Sequence, residues 1–68
     1  MRLKYLREKN GISQLRLAIE LNMNQNSISR YETGSREADY ATLIQLADYF
    51  DVSIDYLLKR TDNPKFNR

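Results

Sequence analysis

The 68-residue sequence contains no cysteine, no histidine and no tryptophan. Without cysteine there is no disulfide and no thiolate nucleophile, and without histidine there is no imidazole base. A structural zinc site is excluded for the same reason. Only carboxylates, lysine, tyrosine and serine remain to carry a reaction. We therefore predict that the protein is not an enzyme and that it uses neither a cofactor nor a metal.

Long hydrophobic runs are also missing. The longest have three residues, Leu17-Ala18-Ile19 and Tyr56-Leu57-Leu58, whereas a membrane-spanning helix needs roughly 18 or more. No signal-peptide pattern is present, and the lack of cysteine agrees with a reducing compartment. We expect a cytoplasmic protein with no membrane contact. The length predicts one small domain, residues 1–60, followed by a C-terminal tail, residues 61–68.

Charge is distributed unevenly along the chain. Residues 1–36 hold seven Lys/Arg and three Glu, which gives +4, and residues 37–68 hold four Lys/Arg and six Asp/Glu, which gives −2. Such an asymmetry fits a protein that meets a polyanion with one side. Solvated helix faces account for it equally well, so charge alone leaves both interpretations open.

Apolar residues recur at spacings of three and four, and no stretch alternates apolar and polar residues long enough for a strand. We therefore predict an all-α fold of five short helices. They run from about residue 2 to 9, 13 to 21, 24 to 33 and 40 to 50, and from residue 53 onward. Residues suited to N-caps stand at the start of four of them: Ser13, Asn24, Asp39 and Ser53. The last helix is predicted to bury Ile54, Leu57 and Leu58.

The second and third helices, residues 13–33, have the lengths of a helix-turn-helix joined by a three-residue turn. Five polar side chains of the third helix fall within roughly 140° of arc: Gln25, Asn26, Ser29, Arg30 and Thr33. Amides match the edge of adenine and a guanidinium matches guanine. The pattern favours a face that contacts bases in the major groove, with an ordinary solvated polar face as the alternative.

An ordered series of motifs covers nearly the whole chain: Arg2-Leu3-Lys4-Tyr5-Leu6-Arg7, Ile12-Ser13-Gln14, Leu17-Ala18, Ile28-Ser29-Arg30-Tyr31-Glu32-Thr33-Gly34, Arg36-Glu37, Thr42-Leu43, Leu46-Ala47 and Val52-Ser53-Ile54-Asp55-Tyr56-Leu57-Leu58. In these motifs the sequence resembles the lambda-repressor-like helix-turn-helix regulators of the Xre family, which includes phage repressors and Cro proteins. The resemblance implies a compact five-helix domain. It also implies a bacterial or phage-encoded transcriptional repressor that binds double-stranded DNA as a homodimer on a pseudo-palindromic operator, with no small-molecule ligand evident.

The resemblance also assigns roles to individual residues. Base contacts are expected from Gln25, Asn26, Ser29 and Arg30. Phosphate contacts are expected from Gln14, Thr33, Ser35 and Arg36. Arg7 and Glu32 match positions at which family members form a partly buried ion pair between the first and third helices, and we expect that structural role here.

Three positions depart from the family pattern. Asn22 stands where a glycine is usual in the turn, and it can still adopt the left-handed conformation. Ala38 replaces a frequent proline. Arg16 replaces a frequent acidic residue near the positive end of the second helix, where a cation is disfavoured. We expect a DNA phosphate to compensate Arg16.

Several exposed or apolar positions have more than one interpretation. Leu15 and Ile19 form a small stripe that serves either extra core packing or a contact with another protein. Tyr40, Tyr49 and Tyr56 either cover the edges of the core or join a dimer contact. Phe66 either folds back onto such a surface or belongs to a disordered tail.

Three function classes follow. The first is a sequence-specific DNA-binding regulator. The second is a protein-interaction or antitoxin-like module that uses the same fold. The third, a small hydrolase using Asp48 and Asp51, is the weakest, because those carboxylates suit solvation and helix capping better. Salt dependence separates the first two, since DNA binding falls steeply with added salt.

Overall fold

The computed structural model describes residues 1–65, which form five α-helices and, within that range, no strand. The helices are α1 (Leu3–Lys9), α2 (Gln14–Glu20), α3 (Gln25–Thr33), α4 (Tyr40–Phe50) and α5 (Ile54–Leu57). The predicted all-α, five-helix architecture is confirmed. No helix in the described part of the chain combines the length and hydropathy needed to cross a membrane.

Four helices begin at the predicted N-cap residues. In each case a side-chain oxygen of the cap accepts a backbone N–H two or three residues later, at 2.8–3.0 Å: Ser13 from Arg16, Asn24 from Asn26, Asp39 from Thr42 and Ser53 from Tyr56. Such a bond satisfies one of the N–H groups that the first helical turn leaves free. The start of α1 is held differently, because the backbone N–H of Arg2 donates to the carbonyl of Leu57 at 2.7 Å.

Two glycines in the left-handed conformation follow α1 and α3, and a left-handed asparagine lies in the turn between α2 and α3. Gly11 follows α1 with φ 68°, and Gly34 follows α3 with φ 80°. Asn22 has φ 54° in the turn between α2 and α3, so the expectation that this asparagine adopts the left-handed conformation is confirmed. The short turn lets α3 pack against α2.

The core takes one fully buried side chain from each helix: Leu3, Leu17, Ile28, Leu46 and Leu57. Ala18 is also buried, and its small side chain lets a neighbouring helix approach α2 closely. Burying a leucine or isoleucine contributes about 1.5–3 kcal/mol. Five such residues therefore fix how the helices pack in a chain whose core is thin.

The prediction that Leu58 is buried is wrong, because its side chain is 39% exposed. Helix α5 ends at Leu57, and Leu58 is its C-cap. The next residue, Lys59, has φ 65° and turns the chain away. Leu58 therefore leaves the buried face that a longer helix would have given it.

The beginning of the predicted tail packs back onto the domain. The guanidinium of Arg2 donates to the Thr61 carbonyl at 3.0 Å and to the Asp62 carboxylate at 2.8 Å, and it lies 4.4 Å from the centre of the Tyr56 ring. The backbone N–H of Ser53 donates to the Pro64 carbonyl at 2.9 Å. The predicted tail also includes residues 66–68, and the expectation for Phe66 therefore lies outside the described residues.

Candidate nucleic-acid interface

Helix α3 is anchored on one side and open on the other. Ile28 is fully buried and Tyr31 nearly so, and both point into the core. The five side chains predicted to share the opposite side do so, with Ser29 half-buried and the others exposed: Gln25, Asn26, Ser29, Arg30 and Thr33. We call this set the outer face of α3.

The outer face carries two amides, two hydroxyls and one guanidinium, but no carboxylate. The only acidic residue of α3, Glu32, is turned inward, and its side chain is 3% exposed. Amide and guanidinium groups can pair with base edges in two-point contacts. A carboxylate on this face would repel phosphate, and its absence suits approach to a polyanion.

Glu32 forms a two-point ion pair with Arg7 of α1. The Arg7 Nε donates to Glu32 Oε2 at 2.6 Å and its Nη2 donates to Oε1 at 3.1 Å. The third guanidinium nitrogen, Nη1, donates to the carbonyl of Ile12 at 2.9 Å. The pair therefore connects α1, the loop after it, and α3.

Burial and hydrogen bonding act on Glu32 in opposite directions. Burial raises the pKa of its carboxyl. The hydrogen bonds from Arg7 and Gln14 together outweigh that effect, so the pKa of Glu32 lies below its ordinary value. The hydrogen bond to Glu32 likewise raises the pKa of Arg7. Both groups are thus held in their charged forms, as a tight ion pair requires.

Gln14, the first residue of α2, joins the same network. Its Nε2 donates to Glu32 Oε1 at 3.0 Å. One amide can donate twice and accept through its oxygen, so Gln14 retains hydrogen-bonding capacity for a second partner. The side chain is half-buried at the junction of α2 and α3, where a DNA backbone would pass if α3 entered a groove.

Thr33 and Ser35 lie together at the C-terminal end of α3. Their hydroxyl oxygens are 3.1 Å apart, and that of Thr33 donates to the Arg30 carbonyl at 3.2 Å. The backbone N–H of Ser35 donates to the same carbonyl at 3.0 Å. The hydroxyls therefore help cap α3, and a phosphate contact would replace these exposed hydrogen bonds.

Arg36 lies along the flank of α3. Its Nη1 is 3.5 Å from the hydroxyl of Ser27, and its guanidinium carbon is 5.8 Å from the centre of the Tyr31 ring. Ser27 was not among the predicted site residues because it falls just outside the outer face. Its place three residues before Arg30, on a neighbouring turn, is the signal that could have identified it.

Arg16 has a protein partner as well as exposure to solvent. Its Nε lies 3.3 Å from Glu20 Oε1, four residues along α2. The hydroxyl of Tyr49 on α4 donates to the same carboxylate, a hydrogen bond that lowers the pKa of Glu20 and raises that of Tyr49. Glu20 thus offsets the charge of Arg16 within the chain, whereas the sequence predicted a DNA phosphate in that role.

The stripe on α2 does not belong to the core. Leu15 is 53% exposed and Ile19 is 66% exposed, because both lie on the side of α2 that faces away from the buried Leu17 and Ala18. The core-packing interpretation of these two residues is wrong.

Comparisons with known proteins agree on one family. The model of the helix-turn-helix family matches residues 3–57. Over 93% of its length the chain is 43% identical to the HTH-type transcriptional regulator YqaE of Bacillus subtilis, of which it covers 54%. It is 41% identical over 97% of its length to the HTH-type transcriptional regulator ImmR of the same organism, of which it covers 52%.

A third relative is the SPbeta prophage-derived HTH-type transcriptional regulator YonR of Bacillus subtilis, which is 42% identical over 88% of the chain and is covered to 56%. The chain thus spans about half the length of the curated relatives that it matches. No solved structure matches it closely enough to be counted as similar.

Proposed function

The chain belongs to the helix-turn-helix family, and from that premise we propose that it regulates transcription by binding a specific double-stranded DNA sequence with α3 in the major groove. The observation that carries the proposal is the outer face of α3. It is polar, free of carboxylates and mounted on a helix fixed by Ile28 and by the Arg7–Glu32 pair.

Roles within the site divide between bases and backbone. Gln25, Asn26, Ser29 and Arg30 contact base edges and set the sequence preference, each good two-point pairing being worth about 1–3 kcal/mol of discrimination. The residues that grip phosphates and set the orientation of the domain are Gln14, Arg16, Thr33, Ser35 and Arg36. Phosphate contacts fix position and base contacts fix sequence.

The regulator acts as a homodimer on a pseudo-palindromic operator. A domain of 8.1 kDa with four base-contacting side chains distinguishes few base pairs, and doubling it adds specificity without new chemistry. Two α3 helices then enter successive major grooves about 34–36 Å apart. A bound dimer excludes other proteins from the same stretch of groove, so we propose that binding represses transcription. The regulator acts in the cytoplasm of a bacterium, and its gene is bacterial or phage-encoded.

Selection of binding sites from a random duplex library tests the proposal. Wild type is compared with Gln25→Ala and Arg30→Ala at two salt concentrations, and Arg60→Ala is the matched control because it removes an exposed arginine from the end of the domain after α5. Enrichment of a motif with two half-sites, relaxed at particular bases only in the two α3 variants, is the expected result. Equal binding of all sequences by every variant would contradict the proposal.

The exposed stripe favours a second candidate function. Leu15 and Ile19 are two large apolar side chains on the outside of α2, and they suit a protein-interaction or antitoxin-like module in which DNA is secondary. Binding to a protein partner that is insensitive to salt and lost in Ile19→Ser would support this candidate. DNA binding that falls steeply with salt and is unchanged in Ile19→Ser supports the first.

A further inference from the structure

Three polar side chains, Arg16, Glu20 and Tyr49, connect α2 to α4 away from the outer face of α3. The Nε of Arg16 lies 3.3 Å from Oε1 of Glu20. The hydroxyl of Tyr49 donates to Oε2 of the same carboxylate. Each oxygen of Glu20 therefore has a different partner, one from its own helix and one from α4.

The Arg7–Glu32 pair shows the alternative arrangement of an arginine and a carboxylate. There the guanidinium occupies both carboxylate oxygens, through its Nε and its Nη2. Two parallel hydrogen bonds of this kind are a frequent and strong geometry for an arginine beside a carboxylate. At Glu20 the Tyr49 hydroxyl already holds the second oxygen, so Arg16 is left with a contact through Nε.

The terminal nitrogens of Arg16 are available for another ligand. Within residues 1–65 the contact of this guanidinium with the chain is the one between Nε and Glu20, and the Arg16 side chain is 65% exposed. A guanidinium presents five N–H donors in a planar fork, and all but one of them belong to Nη1 and Nη2. This pair of nitrogens matches two oxygens of one phosphate group.

The protonation states of the other two residues suit the arrangement. The hydrogen bond between them lowers the pKa of Glu20 and raises the pKa of Tyr49. At neutral pH Glu20 is therefore an anion that accepts two hydrogen bonds, and Tyr49 keeps the proton that it donates. The Tyr49 ring also packs edge to face against Phe50, with 5.0 Å between the ring centres, which restricts the positions that its hydroxyl can reach.

We propose that Tyr49 is a positioning residue for DNA binding, because by holding one oxygen of Glu20 it keeps the Nη nitrogens of Arg16 free to bind a backbone phosphate. The inference rests on the proposed function for its ligand, and it adds a residue of α4 that acts through α2. Arg16 lies only about 3 Å further along α2 than Gln14, so its long side chain can reach a backbone that passes Gln14. Without the Tyr49 hydroxyl, Glu20 turns both oxygens to Arg16, and a phosphate must compete with a two-point pair.

The salt dependence of duplex binding tests this contact. The probe is a labelled pool of random-sequence DNA duplexes, because phosphate charge supplies essentially all of the non-specific affinity and no operator is needed. Fluorescence anisotropy measures binding over a series of salt concentrations. Arg16→Gln should make the slope of log K against log salt concentration shallower by about 0.9 per bound chain. Tyr49→Phe alters no charge and should reproduce most of that change.

A matched control and combined variants identify the route of the effect. Tyr5→Phe removes the hydroxyl of an exposed tyrosine on α1, outside the cluster, and should leave the slope at its wild-type value. Tyr49→Phe should have no further effect in a chain that already carries Arg16→Gln or Glu20→Gln, because its action passes through Glu20 to Arg16. Thermal unfolding by circular dichroism establishes that each variant is folded.

Three results would overturn the inference: a wild-type slope in Arg16→Gln, a wild-type slope in Tyr49→Phe even if its unfolding midpoint falls, or an effect of Tyr49→Phe that persists in the Glu20→Gln chain. The library selection tests the proposed function separately. An enriched motif with unchanged slopes would leave the proposed function standing and overturn this contact. The expected slopes without an enriched motif would support this contact and overturn sequence-specific regulation, and a wild-type chain that binds no duplex would overturn both.

Discussion

At the scale of single residues, Glu32 fixes the position of α3 relative to α1 and α2. Its carboxylate receives hydrogen bonds from the Arg7 guanidinium and from the Gln14 amide, so one buried anion connects three helices. Losing one partner of a buried pair costs far more than losing an exposed pair, because the remaining charge stays desolvated.

Arg7→Ala should therefore lower the free energy of unfolding by about 3 kcal/mol. A domain of this size has roughly 3–10 kcal/mol in total, so much of the chain will be unfolded at moderate temperature. The urea midpoint measures the change. Arg60→Ala is the control, since its pair with Asp55 is 4.0 Å long and exposed, and its effect should stay below about 1 kcal/mol. Equal small losses in both variants would contradict this account.

Acid should weaken the same network. The pKa of Glu32 is lowered in the folded chain relative to its ordinary 4.5, so its contribution to stability is complete above that value and is lost as the pH falls through the folded pKa. The midpoint temperature of thermal unfolding should therefore decrease as the pH is lowered from neutral to 3. The decline should be shallower in Glu32→Gln, which has no carboxyl to protonate, and an unchanged pH dependence in that variant would exclude Glu32 as a contributor.

The sequence alone predicted which side chains share the outer face of α3. Rotation by about 100° per residue placed Asn26 and Arg30 on one face, because helical periodicity is local information. The partner of Arg16 was missed although Glu20 is only four residues away. Tyr49, which reaches the same carboxylate from α4, carried no signal, since that contact depends on how the helices pack.

At the scale of helices, nearby residues in the sequence determine where each helix begins and ends. Which of its side chains are exposed depends also on contacts between residues far apart in the sequence. Each predicted N-cap is used because a cap and its partner N–H are two or three residues apart. The exposure of the Leu58 side chain depends instead on the turn at Lys59. It also depends on the segment that Arg2 binds, whose residues lie 59 and 60 positions away in the sequence. No periodicity in the sequence reports contacts of that range.

The end of α3 provides a test at this scale. Gly34 has φ 80°, and a Cβ built there meets no atom within 4 Å, so the cost of a side chain is conformational alone. Gly34→Ala should lower the free energy of unfolding by about 1 kcal/mol, and Gly34→Asn by less, because asparagine tolerates the left-handed region. Denaturant unfolding of the two variants measures the difference, and equal losses would point to a steric cause.

At the scale of the whole molecule, the basic half of the chain contains α1, α2 and α3, and the acidic half contains α4 and α5. The helix-turn-helix therefore lies entirely in the part of the sequence with net charge +4, seven Lys/Arg less three Glu. This arrangement favours approach to DNA with α3 leading, since the acidic half is repelled by phosphate. If the protein binds DNA with this side, individual basic side chains account for the salt dependence of binding.

Each phosphate contact contributes about −0.9 to the slope of log K against log salt concentration. Arg36→Ala should therefore make the slope shallower by about one per subunit while leaving the base preference intact. Arg30→Ala should relax the preference at one position in each half-site, which is the effect expected of a base contact. Titration of an operator duplex at several salt concentrations measures both quantities, with Arg60→Ala as the control for a lost positive charge. If all three arginine variants change the slope equally and leave the sequence preference untouched, binding depends on net charge alone and the outer face of α3 does not contact bases.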